Sequence, residues 1–188
     1  GTGVNLGLDA TEANNTTSTW SAAQTLGATV GPQNDAPTFD HTATNPTVNE
    51  DNTTGGPTSI PATRLLSSGT VADIDLASTP ALSGSPNVFG AGTITVTLAD
   101  GLTGDVLRLD PTITAGVAGT PSYDATTHTL TITLANTATL SQVGVIMEGE
   151  EYLSTSDDPT NRLSGTPQTQ RNYTVVLSDG NNQRAGAL

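Results

Sequence analysis

Acidic side chains in short loops are the residues of this sequence whose types and spacing suggest chemistry. In the segment ADID, Asp73 and Asp75 stand at alternate positions, so in an extended chain both carboxylates point to one side. Further Asp, Glu and Asn residues cluster in QND, NED and TSDDP, and one Asp follows a predicted strand. Calcium takes about six to eight oxygen ligands from carboxylates, amides and carbonyls. We therefore predict a calcium site with ligands drawn from Asn34, Asp35, Glu50, Asp51, Asp73, Asp75, Asp157, Asp158 and Asp179.

Each of these acids also has a simpler interpretation, as a loop carboxylate that is only hydrated. None belongs to a self-contained motif such as an EF-hand loop. The overall charge favours cation binding, because 18 Asp and Glu stand against five Arg and no Lys, for a net charge of −13. Such an excess repels itself unless cations lie among the carboxylates. The same balance excludes a basic surface for nucleic acid or anionic lipid.

Catalysis finds little support in the sequence, and we predict that the chain is not an enzyme. His41 and His128 are isolated and are interpreted as exposed histidines. Paired carboxylates could serve a glycosidase, but an aromatic platform for sugar is missing. The remaining acids are predicted to lie on the surface or in turns: Asp9, Glu12, Asp40, Asp100, Asp105, Asp110, Asp124, Glu148, Glu150 and Glu151.

The chain contains no cysteine, so neither a disulfide framework nor a thiolate metal site is possible. This suits a bacterial exoprotein stiffened by metal ions, and it is also compatible with a cytosolic protein. No apolar run approaches the roughly 18 residues of a membrane span. We expect no membrane insertion and place any export signal outside this sequence.

Alternation of apolar and small polar residues predicts strands rather than helices over most of the chain. The clearest strands lie in residues 92–101, 105–111, 128–136 and 172–180, and weaker ones around 20–23, 26–30, 46–49 and 69–72. One segment has helical spacing and predicts a short helix near 139–147, with Thr139 or Ser141 as N-cap and Gly149 as its end. Many short strands between Gly, Pro, Asn and Asp turns indicate an all-β, antiparallel sandwich.

The ordered segments NDAPTF, VNED, VADIDLAS, GAGTITVTLADGLTGDVLRL, VGVIMEGEEYLSTSDDP and YTVVLSDG resemble the tandem cadherin-like, Ig-like repeats of giant bacterial surface proteins. Calcium-dependent RTX adhesins and related biofilm proteins are among these. The resemblance implies a cadherin-like sandwich with calcium at the joint between consecutive repeats, where the acidic groups converge at one end. It also implies a secreted protein on the surface of a Gram-negative bacterium, with neighbouring repeats as partners.

The resemblance divides the chain into residues 34–188, a cadherin-like sandwich domain, and an N-terminal segment, residues 1–33. Such a repeat should end on a strand comparable to SAAQTLGATVGP, and none follows LSDGNNQRAGAL. A sandwich without that strand has an unpaired edge. We therefore expect residues 1–33 to complete the same sandwich, or else to be the end of a preceding repeat.

Three functions follow from this interpretation. The first is a calcium-dependent adhesin module that binds a peptide or glycan during cell or surface attachment, and it is favoured by long insertions around 52–68 and 110–127. The second is a structural extender stiffened by calcium, without a ligand of its own. The third is a carbohydrate-anchoring module of an exoenzyme. In each case we expect the fragment to be monomeric.

Overall fold

The computed structural model describes residues 35–44, 62–73, 89, 91–156, 158–160 and 166–180. This part of the chain is mostly antiparallel β-sheet with one short helix, which confirms the all-β prediction. The chain divides into two units, Gly1–Gly31 and Pro32–Leu188. The first unit lies outside the described residues. The same holds for residues 1–33, which were predicted to complete the sandwich, and for the weak strands predicted at 20–23, 26–30 and 46–49.

The described strands are short and are separated by turns. They are β1 (Thr38–Phe39), β2 (Thr63–Arg64), β3 (Val71–Ala72), β4 (Thr93–Leu98), β5 (Asp105–Leu109), β6 (Ser122–Asp124), β7 (Thr129–Thr133), β8 (Glu150–Ser154) and β9 (Tyr173–Ser178). The helix, α1, spans Leu140–Glu148. The clear strands predicted from alternation are all present.

The larger sheet has the strand order β6-β7-β4-β9, and each pair in it is antiparallel. Period-2 alternation sets its register, because Ile94 stands opposite Ile132 on one side and Leu177 on the other. These three side chains are buried, whereas the threonines of β4 are only partly buried. One face of this sheet therefore forms a core layer.

A smaller sheet has the order β2-β8-β5, and a two-stranded ribbon joins β1 to β3. In the smaller sheet, Leu107 pairs with Tyr152 and Leu109 pairs with Glu150. Both sheets and α1 contribute to one cluster of buried residues, which includes Val96, Leu107 and Ile146. The described part of the second unit thus has one continuous core.

Helix α1 begins and ends close to the predicted positions. Thr139 is the N-cap, and it forms a capping box with Gln142 in which each side chain accepts from the other residue's backbone N–H. Gly149 is the C-cap, with φ −90° and ψ −2°. A Cβ there would lie 2.2 Å from Cδ1 of Ile113, so a larger residue would require the end of the Ile113 side chain to move. No helix among the described residues is long and apolar enough to cross a membrane.

Residues 110–127 are more ordered than the predicted insertion loop. Asp110 Oδ1 accepts hydrogen bonds from the backbone N–H and the hydroxyl of Thr112. Ile113 and Val117 pack against the core, and residues 122–124 form β6. Gly116, at φ +83°, crosses close to Gln142 of α1, where a Cβ would lie 3.0 Å away. The predicted insertion at 110–127 is therefore packed on the core and includes a strand.

Candidate metal site

Two of the predicted calcium ligands are buried carboxylates. Asp73 is only 3% exposed and directly follows β3, and Asp179 is 5% exposed and directly follows β9. Loop acids that are merely hydrated would stand in solvent, so hydration alone does not explain these two.

The strand register places Asp73 opposite the segment that contains Asp35. Thr38 stands opposite Ala72 in the β1–β3 ribbon, so the next antiparallel position places Asp73 opposite Pro37. Asp35 is two residues before that proline and is exposed. The structure thus brings two of the predicted ligands, Asp35 and Asp73, to the same end of the ribbon.

Asp179 lies toward the end of the unit at which α1 begins. The backbone N–H of Gly180 donates to the carbonyl of Phe89 at 2.9 Å, and Phe89 N–H donates to Ala138 at 2.9 Å, just before the N-cap. The first helical residue, Leu140, also lines a groove with Val71 of β3. The end of β9 therefore lies close to the start of α1, and β3 lies beside the same helix.

The electrostatics of Asp179 fit a cation. Its Oδ2 is buried and has no hydrogen-bond partner among the described residues. A buried carboxylate without compensation costs several kcal/mol, so such a group is normally protonated, paired or bound to a metal. A hard divalent ion that prefers carboxylate oxygen would supply the missing partner.

The other predicted ligands are not gathered in the described residues. Asp158 is partly buried, and its carboxylate accepts from the hydroxyl of Thr160 at 3.4 Å. Five predicted ligands lie outside the described residues: Asn34, Glu50, Asp51, Asp75 and Asp157. Within the described ranges no group of three or more His, Cys, Asp or Glu side chains is arranged to hold a metal ion. The buried residues among the predicted ligands are therefore Asp73 and Asp179, and Asp35 is exposed two residues before Pro37.

Asp105 is buried, so its assignment to the surface is wrong. Its carboxylate accepts from Arg171 Nε at 2.5 Å, from Tyr152 Oη at 2.7 Å and from the backbone N–H of Leu102 at 2.7 Å. Arg171 also donates to the carbonyl of Pro159 at 2.6 Å. Because every partner is a donor, the network satisfies the charge by itself. It joins β5 to the segment before β9 and has a structural role.

Glu150 and Glu151 are also buried, contrary to the prediction. Glu151 forms an ion pair with Arg108, in which Nε and Oε2 lie 2.9 Å apart. Glu150 is fully buried, and neither carboxyl oxygen has a hydrogen-bond partner in the described structure. Desolvation raises its pKa from 4.5 to about 8. Glu150 is therefore a neutral carboxylic acid in the core at neutral pH.

The two histidines differ from the exposed residues predicted. His128 is partly buried, and its Nδ1 lies 3.0 Å from Tyr123 Oη. The side chain of His41 is completely buried beside Glu148 of α1. Tyr173 Oη donates to the carbonyl of Leu65 at 2.6 Å, as expected for a tyrosine at the core margin. The isolation of a histidine in sequence carries no signal of its burial.

No family model, curated protein or solved structure matches this chain. A functional interpretation therefore depends on the buried carboxylates and on the resemblance of the sequence segments.

Proposed function

We propose that this chain is a calcium-dependent module of a bacterial cell-surface adhesin. The observation that carries the proposal is Asp179, a buried carboxylate whose Oδ2 has no hydrogen-bond partner among the described residues. Asp73 is also buried, and the register of the β1–β3 ribbon places it opposite Pro37, two residues after Asp35. These are oxygen ligands of the type that calcium prefers.

Calcium binding would couple the fold to the extracellular medium. An ion that binds only the folded state stabilises it by RT ln(1 + [L]/Kd), or about 2.7 kcal/mol at a concentration 100-fold above Kd. The net charge of −13 adds to this effect, because each bound ion reduces the self-repulsion of the chain. The module would thus be rigid outside the cell, where calcium is abundant, and less stable without it.

Contacts between the two sheets support a sandwich of the cadherin-like, Ig-like type. Tyr173 of the larger sheet donates to Leu65, beside the smaller sheet, and Tyr123 Oη donates to the carbonyl of Asp105 at 2.6 Å. Hydrophobic residues of both sheets form one core. Two antiparallel sheets that share a core in this way are the basis of a sandwich.

A groove between β3 and α1 favours a module with a ligand of its own. It has a volume of about 320 Å³ and is lined by Val71, Leu140, Val145 and Glu148 among others. Its mixture of apolar and acidic side chains suits a peptide better than a glycan, because aromatic residues are missing from its lining. We therefore propose an extended peptide as the ligand.

A structural extender without a ligand is the second candidate. The anchoring of residues 110–127 favours it, because a segment packed on the core and paired through β6 is not a free binding loop. A peptide library and a glycan array, each screened with calcium and with chelator, separate the two. Calcium-dependent capture of peptides supports the binding module, and failure on both screens with intact calcium stabilisation supports the extender.

The metal proposal is tested by thermal unfolding of metal-free protein titrated with calcium. We expect calcium in 100-fold excess over Kd to raise Tm by about 5 to 10 °C, since 1 kcal/mol shifts Tm by about 2 to 4 °C in a chain of this size. In Asp179→Asn, the shift should fall while Tm in metal-free buffer stays equal or rises, because the buried charge is removed.

Asp124→Asn is the matched control. Asp124 is exposed, and its Oδ1 accepts from the backbone N–H of Thr126, a bond that an amide oxygen also makes. This variant should keep the full calcium response. A parent protein whose Tm does not respond to calcium, or an Asp179→Asn variant with an undiminished response, would contradict the proposal.

A further inference from the structure

The groove between β3 and α1 has an apolar wall and an open floor on its helix side. Leu140, Gly144 and Val145 lie within about one and a half turns of α1 and share the face that lines the groove. A Cβ at Gly144 would have no atom within 4 Å, so the space above this residue is open. Val145 is 50% exposed. The volume of about 320 Å³ is near the lower end of the roughly 300 to 1,000 Å³ of ligand pockets, so the groove suits a few side chains of a partner.

The β1–β3 ribbon forms the opposite wall and turns one face toward α1. Phe39 stands opposite Val71, and such cross-strand partners share a face of the ribbon. His41, two residues after Phe39, is completely buried beside Glu148 at the end of α1. Val71 lines the groove and Phe39 is 38% exposed, so this face offers further apolar surface beside the groove.

Among the described residues that line the groove, Glu148 is the one with a charged side chain. It is 37% exposed and lies in the last turn of α1, where the helix dipole is negative and no basic side chain occurs. Arg64 is close, but its Nη1 donates to the backbone carbonyl of Glu148 and its Nη2 donates to Asp110, at 2.6 Å each. His41 Nε2 lies 4.0 Å from Oε1 of Glu148, beyond hydrogen-bond distance. The Glu148 carboxylate is therefore available to a basic group of a ligand.

We propose that this groove selects peptides that carry an apolar residue and a Lys or Arg two positions apart. The inference rests on the peptide-binding function proposed above and names the chemistry of its ligand. Gly144 and Glu148 are four residues apart, which is about 6 Å along the helix axis. Residues i and i+2 of an extended peptide are about 6.6 Å apart and point to the same side. One side chain thus fills the space above Gly144 while the other reaches Glu148 and donates a charge-assisted hydrogen bond.

The charge of the whole chain favours the same ligand. A net charge of −13 attracts a basic peptide and repels an acidic one. This long-range attraction acts on any cation near the surface, and salt screens it beyond about 8 to 10 Å. The contact with Glu148 is short-range, so it distinguishes ligands by the presence of a basic side chain at one position.

The experiment measures fluorescence anisotropy of capped, labelled heptapeptides of Gly and Ser in excess calcium and physiological salt. The third and fifth positions carry, in either order, an apolar residue (Ala, Val or Leu) and one of Lys, Arg, Gln or Glu. We expect peptides with Val and a basic residue to bind about three- to tenfold tighter than those with Val and Gln. Glu148→Gln should remove this preference and leave the affinity for the Gln peptides unchanged.

A second variant tests the apolar position separately from stability. Gly144→Ala places a methyl group in the open space above the helix and should weaken binding of the Val peptides about fivefold or more. The same change should stabilise the helix, because alanine is the better helix former. Weaker binding by a more stable protein cannot result from a folding defect.

Asp124→Asn is the matched control, since it removes the same unit of charge from an exposed residue of β6 outside the groove. It should keep the full preference for basic peptides. A preference below about twofold in the parent protein would overturn the proposal, as would its persistence in Glu148→Gln or its loss in Asp124→Asn. Unchanged binding of the Val peptides by Gly144→Ala would also overturn it.

The calcium-induced change in Tm, recorded on the same samples, separates this inference from the proposed function. A calcium response without a preference for basic peptides overturns this inference alone. A preference that Glu148→Gln removes, in a protein whose Tm does not respond to calcium, supports the groove and overturns the calcium-dependent module.

Discussion

The buried acid Glu150 should make the protein less stable as the pH rises from 5 to 8. Its folded-state pKa is raised to about 8 by desolvation, compared with 4.5 when solvated. Below pH 4.5 both states hold the proton, so the carboxyl group contributes no pH dependence there. Between 4.5 and 8 the unfolded state releases the proton and the folded state keeps it, so stability falls until the folded pKa is passed.

The size of the effect follows from this difference in pKa. A shift from 4.5 to about 8 corresponds to about 5 kcal/mol at roughly 1.4 kcal/mol per unit, of which about 3 to 4 kcal/mol falls between pH 5 and pH 8. This is an upper limit, because local rearrangement that admits water relieves part of the cost. Even half of it is a large fraction of the stability of a domain.

Replacing Glu150 with methionine isolates this contribution. Glu150→Met removes the carboxyl group and keeps a side chain of similar length. We expect the variant to be more stable by about 1 to 3 kcal/mol at pH 5, where only an unpaired neutral polar group is removed. From pH 5 to pH 8 this difference should grow by up to about 3 to 4 kcal/mol. At pH 8 the unfolded parent has released the proton of Glu150, whereas the folded parent must either keep that proton or bury the charged carboxylate.

The assay is urea unfolding of both proteins at several pH values and one calcium concentration, because the difference between them cancels the other titrating groups. Asp124→Asn is the control, since hydrogen bonds from the backbone of Thr126 and Thr127 lower the Asp124 pKa below 3.8, outside this pH range. A difference between Glu150→Met and parent that stays constant from pH 5 to pH 8 would refute the reasoning.

Two further substitutions test the packing described above. Gly144 lies inside α1, and a Cβ at this position would have no atom within 4 Å. Gly144→Ala should therefore stabilise the protein by about 1 kcal/mol and raise Tm by about 2 to 4 °C. A lower Tm would show that the space beside Gly144 is needed. Asp105→Ala leaves the largely buried Arg171 without its carboxylate partner. The free energy of unfolding, measured in urea, should fall by about 3 to 5 kcal/mol. A decrease below about 1 kcal/mol would show that the network around Asp105 contributes little to stability.

Much of the local structure could be predicted from the sequence. The alternation in β4, β7 and β9 specifies strands because successive side chains point to opposite faces, whatever surrounds them. The start of α1 was equally predictable, since Thr139 satisfies backbone N–H groups that any helix leaves unpaired. Gly149 ends the helix at the predicted residue, and the Ile113 side chain packs closely against it.

The burial of charged and polar residues could not be predicted in this way. In β8, Glu150, Tyr152 and Ser154 share one face while Glu151 and Leu153 share the other, so neither face is clearly apolar. Pairing with Leu107 and Leu109 of β5 decides which face meets the core. Alternation specifies which residues share a face, and only the packing of the sheets decides whether that face is buried.

The same reason limits what the sequence could determine about metal ligands. Asp73 and Asp179 were predicted as ligands from their type and position, but their burial depends on pairing of β3 with β1 and of β9 with β4, which are distant in sequence. The burial of the His41 side chain had no signal in the sequence, because its neighbours Gly69 and Glu148 come from segments far along the chain. Short-range patterns determined the secondary structure here, whereas the environment of each ionisable group was decided by long-range contacts that only the folded chain makes.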